Sequence, residues 1–158
     1  MFEIGDKIVY PMHGAGIIEG IEEKEILGEK RNYYVLRMPI GEMKVMVPIN
    51  NVDTIGLRKV INGEEVRKVF NVLQQEDSPM SNNWNRRYRN NMEKIKGGNI
   101  YDLAEVVRNL ASRDKEKGLS TGEKKMLDSA RQILLSELVL AKDEEEDHIK
   151  NLLQQYLA

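Results

Sequence analysis

The sequence predicts an α+β protein of two parts. Residues 1–75 read as a small SH3- or Tudor-like β-barrel with a closing helix, and residues 84–158 as an all-α helical bundle. Three observations predict this. Short Val-, Ile- and Tyr-rich segments separated by turn residues fill the first 60 positions. The apolar period then switches from strand to helix at Asn62. Beyond a polar stretch at 76–83 that contains Pro79, every apolar pattern is helical.

The strands come first. Lys7–Tyr10, Ala15–Ile21, Asn32–Met38 and Met43–Val47 are short and half apolar, and alternation in Met43-Lys44-Val45-Met46-Val47 suits a strand with one buried face. Met12-His13-Gly14, Leu27-Gly28-Glu29 and Pro39-Ile40-Gly41-Glu42 punctuate them as turns. From Asn62, the residues Val66, Val69, Phe70 and Leu73 recur at helical spacing, which predicts a helix that closes the strand-rich part. The stretch 76–83 reads as an inter-domain linker. Trp84–Lys96 then forms a helix stopped by Gly97-Gly98. Asn99 caps the next helix, whose stripe Ile100, Leu103, Val107 and Leu110 runs to Gly118. Ser120-Thr121-Gly122-Glu123 has the form of a capping box opening a long helix with Leu127, Ala130, Leu134 and Leu138. A last helix carries Ile149, Leu152, Leu153 and Tyr156.

Composition narrows the function classes. There is no cysteine, hence no disulfide, thiolate metal site or Cys nucleophile. The two histidines, His13 and His148, stand far apart with no partner at metal-ligand spacing, so no metal or other cofactor is expected. No apolar run approaches the roughly 20 residues of a bilayer span, and Met1–Asp6 lack the basic and apolar regions of a signal peptide. The expected location is the cytoplasm. The 24 basic and 26 acidic residues give a net charge of −2, which by itself points away from nucleic acid. Its distribution points back: residues 76–131 hold 12 basic against 9 acidic side chains, and an acidic tail follows.

The candidate chemistry lies at two helix starts. Arg86, Arg87 and Arg89 follow the Asn82/Asn83 cap, and Lys124 and Lys125 follow the Ser120 cap. A helix N-terminus carries partial positive charge, so basic residues there suit a phosphate partner better than they suit helix stability. Solvated surface charge explains them equally well. Trp84 shares a stripe with Tyr88, Met92 and Ile95, as a core residue would, yet its neighbours Asn82, Asn83, Asn85 and Arg86 suit an exposed tip that wedges between bases. The sequence pattern leaves both open. His13-Gly14-Ala15-Gly16 lacks P-loop spacing and reads as a turn, and the acidic run Asp143–Asp147 lacks EF-hand spacing. No catalytic set or small-molecule substrate is indicated, so no enzyme is expected.

Three segments carry a resemblance. Val9-Tyr10-Pro11-Met12-His13-Gly14-Ala15-Gly16, Asn83-Trp84-Asn85-Arg86-Arg87-Tyr88 and Gly118-Leu119-Ser120-Thr121-Gly122-Glu123-Lys124-Lys125-Met126-Leu127 resemble the CarD/CdnL family of bacterial transcription regulators, in order over essentially the whole chain. The first segment is also similar to the polymerase-binding module of the transcription-repair coupling factor. The resemblance implies an N-terminal module that binds the RNA polymerase beta subunit by strand pairing, through positions matching Lys24, Ile26 and Met46. It implies that Trp84 wedges into the minor groove near the −10 region of promoter DNA. Arg86, Arg87, Arg89, Lys124 and Lys125 would contact the backbone, so that the open complex lives longer without operator recognition, in the nucleoid. Relatives often carry arginine at the positions of Lys24 and Met46, so part of the polymerase contact here would be apolar. A protein-interaction adaptor with no DNA contact and a single-strand nucleic-acid-binding module are the alternative readings.

Overall fold

In the computed structural model, which describes residues 2–158, alternating side chains build one antiparallel sheet from five strands. They are β1 (Lys7–Tyr10), β2 (Gly14–Ile26), β3 (Glu29–Arg37), β4 (Lys44–Pro48) and β5 (Arg58–Lys59), ordered β4-β3-β2-β1-β5. A 3₁₀ turn at Ile49–Asn51 and the one-turn helix α1 (Val52–Ile55) lead into β5. Ile8, Ile18, Tyr34, Leu36, Met38, Val47 and Leu57 form the core of this unit, as the period-2 pattern predicts. β4 and β5 are not paired with each other, so the barrel stays open in its hydrogen bonding. A bulge at Glu19, between the pairs Ile18–Leu36 and Gly20–Val35, shifts the register. Beyond it β2 and β3 run further than the sequence predicts, as a two-stranded ribbon. Residues 21–32 are exposed, and Leu27 and Gly28 make the tip with positive φ. Their charged alternation hides the strand signal, because neither face is buried.

Five longer helices follow: α2 (Gly63–Gln74), α3 (Trp84–Lys96), α4 (Ile100–Glu116), α5 (Thr121–Lys142) and α6 (Glu146–Leu157). Asn62 and Glu65 close a reciprocal capping box on α2. Asn83, Asn99 and Ser120 cap α3, α4 and α5 with their side-chain oxygens. The acidic run begins α6, where Glu146 and Asp147 in the first turn suit the helix dipole.

Packing revises two expectations. Helix α2 forms where the spacing predicts it, but Val66, Val69 and Leu73 lie in one core with the buried side chains of α4, α5 and α6. By packing, the strand-rich unit ends near Ile61 rather than at residue 75. The stretch 76–83 therefore joins two helices of the same bundle, and it is held down. Arg108 donates to Val72 O (2.9 Å) and Ser78 Oγ (2.8 Å), Ser78 N–H donates to Asn109 Oδ1 (3.1 Å), and Ser112 hydrogen bonds Asp77. Charged and amide side chains anchor it, which a reading of apolar period overlooks.

The sheet docks on α5 through His13-Gly14-Ala15-Gly16, which the sequence reads as a turn; only His13 lies in the turn, and Gly14-Ala15-Gly16 open β2 paired to β1. Gly14 has φ +112°, and a Cβ there would lie 2.8 Å from Ser136 Oγ, so only glycine permits this approach. Ala15 N–H donates to Ser136 Oγ (2.9 Å), which donates onward to Ile133 O (2.7 Å). Val9 and Ala15 pack on Leu140, and Lys7 Nζ donates to Leu140 O (2.9 Å). A further tie is ionic. Glu137 on α5 is 2% exposed and takes both Arg58 Nη atoms at 2.7 Å, while Ile61 N–H donates to the same carboxylate at 3.1 Å. Arg58 Nε donates to Gly98 O at 2.8 Å.

Removing one partner of this pair strands a buried carboxylate. Arg58→Ala is expected to destabilise the protein by about 3 kcal/mol, whereas Arg58→Met with Glu137→Leu recovers most of the loss. Urea unfolding of the single and double variants checks both.

Candidate nucleic-acid interface

The starts of α3 and α5 are 36 residues apart in sequence and meet in space. Trp84 opens α3 and Ser120 caps α5, and the indole Nε1–H donates to Ser120 Oγ at 2.9 Å. Tyr88, one turn along, stacks under the indole with ring centroids 5.1 Å apart and 21° between planes. The two basic helix starts found in the sequence therefore form one tip.

Trp84 is 42% exposed. Its predicted stripe is real but graded: Tyr88 and Met92 are half-buried and Ile95 is buried, so the stripe emerges from the core and ends in the tryptophan. The indole's one polar hydrogen is satisfied by Ser120, which leaves an apolar edge facing out. Arg86, Arg89, Lys124 and Lys125 are exposed on the first turns of the same two helices, and none of them makes a salt bridge among the described residues. The first turn of α3 holds no acidic residue. Together these are the elements of an anion-binding tip with an aromatic at its centre.

Arg87 differs from its neighbours and is a correction to the sequence reading. It is 4% exposed and turned inward, with Nε and Nη2 donating to Glu123 at 2.7 and 3.0 Å and Nη1 donating to Ser81 O at 3.0 Å. Its donors are aimed into the protein, where they brace the tip, rather than outward as the sequence reading expects. Helical geometry explains the difference: Arg87, Asn91 and Ile95 fall at i, i+4 and i+8 and form the buried face of α3. A buried face built from arginine and asparagine escapes any hydrophobic pattern. Glu123, 2% exposed, also departs from the expected capping box. Ser120 accepts from Glu123 N–H at 3.2 Å, but the Glu123 carboxylate turns to Arg87 instead of to the cap's backbone. Sequence reading sees Ser120 as a helix cap only and gives no role to Gly122, where a Cβ would lie 3.5 Å from Trp84 and 3.8 Å from Tyr88. These partnerships are spatial, and nothing in local sequence marks them.

At the other end of the molecule, Lys24 and Ile26 on β2 and Met46 on β4 share one sheet face. The register sets Gly20 opposite Val35 and Val35 opposite Met46, and even spacing along β2 puts Lys24 and Ile26 on the same side as Gly20. Lys24 is exposed, Ile26 is 51% exposed and Met46 is half-buried. Lys24 stands opposite Arg31, which pairs with Glu29 at 2.9 Å. β4 is an edge strand whose outer backbone has no strand partner.

The hydrogen bonds from Arg87 hold the Glu123 carboxyl below the usual carboxylate value, and burial opposes them without reversing the shift. A depressed folded-state pKa contributes stability that is complete above the unfolded value of about 4.5 and is lost as pH falls through the folded one. Glu123→Gln is therefore expected to lower stability by about 3 kcal/mol at neutral pH and to flatten the decline below pH 4.5. Urea melts across the acid range check both effects.

Known proteins match both halves of this arrangement. The CarD-like/TRCF RID domain model matches residues 2–61, and the CarD C-terminal domain model matches residues 68–154. YdeB of Bacillus subtilis (strain 168), named as a transcription factor, is 48% identical over 151 residues, spanning 96% of this chain and 99% of its own length. The CdnLNt structure from Myxococcus xanthus is 46% identical with a TM-score of 0.34, covering 39% of this chain and 86% of that one. The 72-residue N-terminal domain of Myxococcus xanthus CarD is 36% identical with a TM-score of 0.33, covering 37% of this chain and 79% of that one. With both domain models matched in order and a relative this similar along its full length, the chain belongs to the CarD/CdnL family.

Proposed function

We propose that this protein regulates transcription without catalysis. It docks on the RNA polymerase beta subunit through its sheet and stabilises the open promoter complex with its helical tip. The observation that carries the reading is the exposed, internally hydrogen-bonded Trp84 among four unpaired basic side chains. An apolar wedge in the minor groove costs a few kcal/mol of unstacking, and less where the duplex is already opening near the −10 region. Arg86, Arg89, Lys124 and Lys125 contact phosphates and hold the wedge in register, while Arg87 braces it from below.

Four free cations make a weak, salt-sensitive DNA ligand, in keeping with a net charge of −2. Tethering to polymerase raises the local concentration of the tip at the promoter. The face bearing Lys24, Ile26 and Met46, beside the unpaired edge of β4, suits addition of a strand from the beta subunit. The ion-paired, hydrogen-bonded junction at α5 suits transmission of that docking geometry to the tip. An adaptor with a core tryptophan is disfavoured by the exposure of Trp84. A single-strand binder with two open stacking platforms is disfavoured because Tyr88 is half-buried against the indole.

Trp84→Ala is expected to shorten open-complex half-life about tenfold on a responsive promoter, as filter binding after competitor challenge reports; an unchanged half-life would remove the wedge. Lys24→Glu should weaken capture of the beta subunit while leaving thermal stability within about 0.5 kcal/mol, since the residue is exposed and unpaired. Pull-down with the intact chain, beside a melting curve, measures both.

A further inference from the structure

Ser120 occupies a position that helix capping alone does not explain. Its hydroxyl accepts from Glu123 N–H at 3.2 Å, as an N-cap does, and in the same place accepts the Trp84 indole N–H at 2.9 Å. It also lies 3.3 Å from Glu123 Oε1, its donor direction. Glu123 in turn is fixed by Arg87 from the first turn of α3, two of whose hydrogen bonds reach that carboxylate. The result is a closed ring of contacts, Trp84 to Ser120 to Glu123 to Arg87, which returns to the helix that carries Trp84. Tyr88 supports the indole from one side, and Gly122 lies beside it on another. An exposed tryptophan at a helix start would otherwise sample several rotamers.

We propose that Ser120 is a positioning residue for Trp84: its hydroxyl holds the indole in the rotamer that presents the apolar edge to DNA. The inference rests on the wedge reading and adds to it a cause for the wedge's pre-organisation. Ordering a side chain before it binds removes its entropic cost from the encounter. With its N–H engaged inside the protein, the indole offers no hydrogen bond to base edges. That accounts for a wedge with little preference for sequence.

The test exploits a difference between capping and positioning. Glycine is nearly as good as serine at an N-cap, so Ser120→Gly keeps α5 intact while removing the acceptor for the indole. Trp84→Phe keeps an aromatic wedge but has no N–H to hold. Open-complex half-life is measured for the wild type, the two single variants, the double variant, Ser120→Thr and Trp84→Ala. Loss of one neutral hydrogen bond predicts a shortening of about two- to tenfold for Ser120→Gly in the wild-type background. No further shortening is expected in the Trp84→Phe background, and Ser120→Thr should retain the wild-type half-life. Because the chain has a single tryptophan, its one indole N–H resonance gives an independent readout. It should exchange with solvent severalfold faster in Ser120→Gly.

Equal shortening in both backgrounds would mean that Ser120 acts only as a cap, and would overturn the inference. So would an unchanged half-life and unchanged indole exchange in Ser120→Gly when Trp84→Ala still shortens the complex; the wedge would then survive without its positioning residue. If Trp84→Ala itself has no effect, the wedge reading falls, and this inference falls with it.

Discussion

A carboxylate buried in a protein must find a cation or lose its charge, and helix α5 buries two. Glu123 lies at its start and Glu137 well along it, each 2% exposed. Each is paired with an arginine from another element, Arg87 of α3 and Arg58 of β5. A buried pair contributes little net stability, since desolvation offsets most of the attraction, but a broken one is costly. Its effect is to make one arrangement of elements far better than its neighbours. Glu123 fixes where α3 begins relative to α5, and so where Trp84 stands. Glu137 fixes the sheet against the bundle. One helix thereby sets both the placement of the α3–α5 tip and the docking of the sheet.

Close packing reinforces the second of these ties. The sheet approaches α5 at Gly14, where no side chain would fit, and Ser136 receives the N–H of Ala15 while its own proton goes to Ile133 O. The glycine-rich start of β2 thus has a structural use. The module junction contains directional bonds as well as apolar contact among Val9, Ala15 and Leu140. Such a junction resists the hinge motion that is the ordinary expectation for two small units in one chain.

The charges divide along the same lines. Four exposed basic side chains with no salt bridge among the described residues stand at the starts of α3 and α5, the acidic run leads into α6, and the ribbon of β2 and β3 carries both signs. Under the proposed function, such a distribution gains little from long-range attraction to DNA and gains most from a tether.

Wherever one face of an element is apolar, the fold was legible in the sequence. β1, β4 and helices α2 to α6 follow from period and caps, because burying a stripe is the main favourable term and local hydrogen bonds mark its ends. The exposed ribbon beyond Gly20 was not legible at full length, since strands with two wet faces carry no period. The segment 76–83 reads as a linker because its anchors, Arg108 and Asn109, are polar residues on a distant helix. For the candidate site, residue types and helix ends pointed to Trp84, Arg86, Arg87, Arg89, Lys124 and Lys125, of which the structure leaves all but Arg87 exposed. Arg87 was indistinguishable from Arg86 in sequence, and a rotation of 100° about the helix separates a buried strut from a free cation. Sequence by itself determined the elements, their caps, the absence of thiol chemistry and the uneven charge. Tertiary structure alone decided which arginine faces inward, that two helix starts 36 residues apart make one tip, and that the indole is held by Ser120. Those outcomes depend on pairing between distant buried polar groups, and no local pattern encodes a partner that only the finished fold brings near.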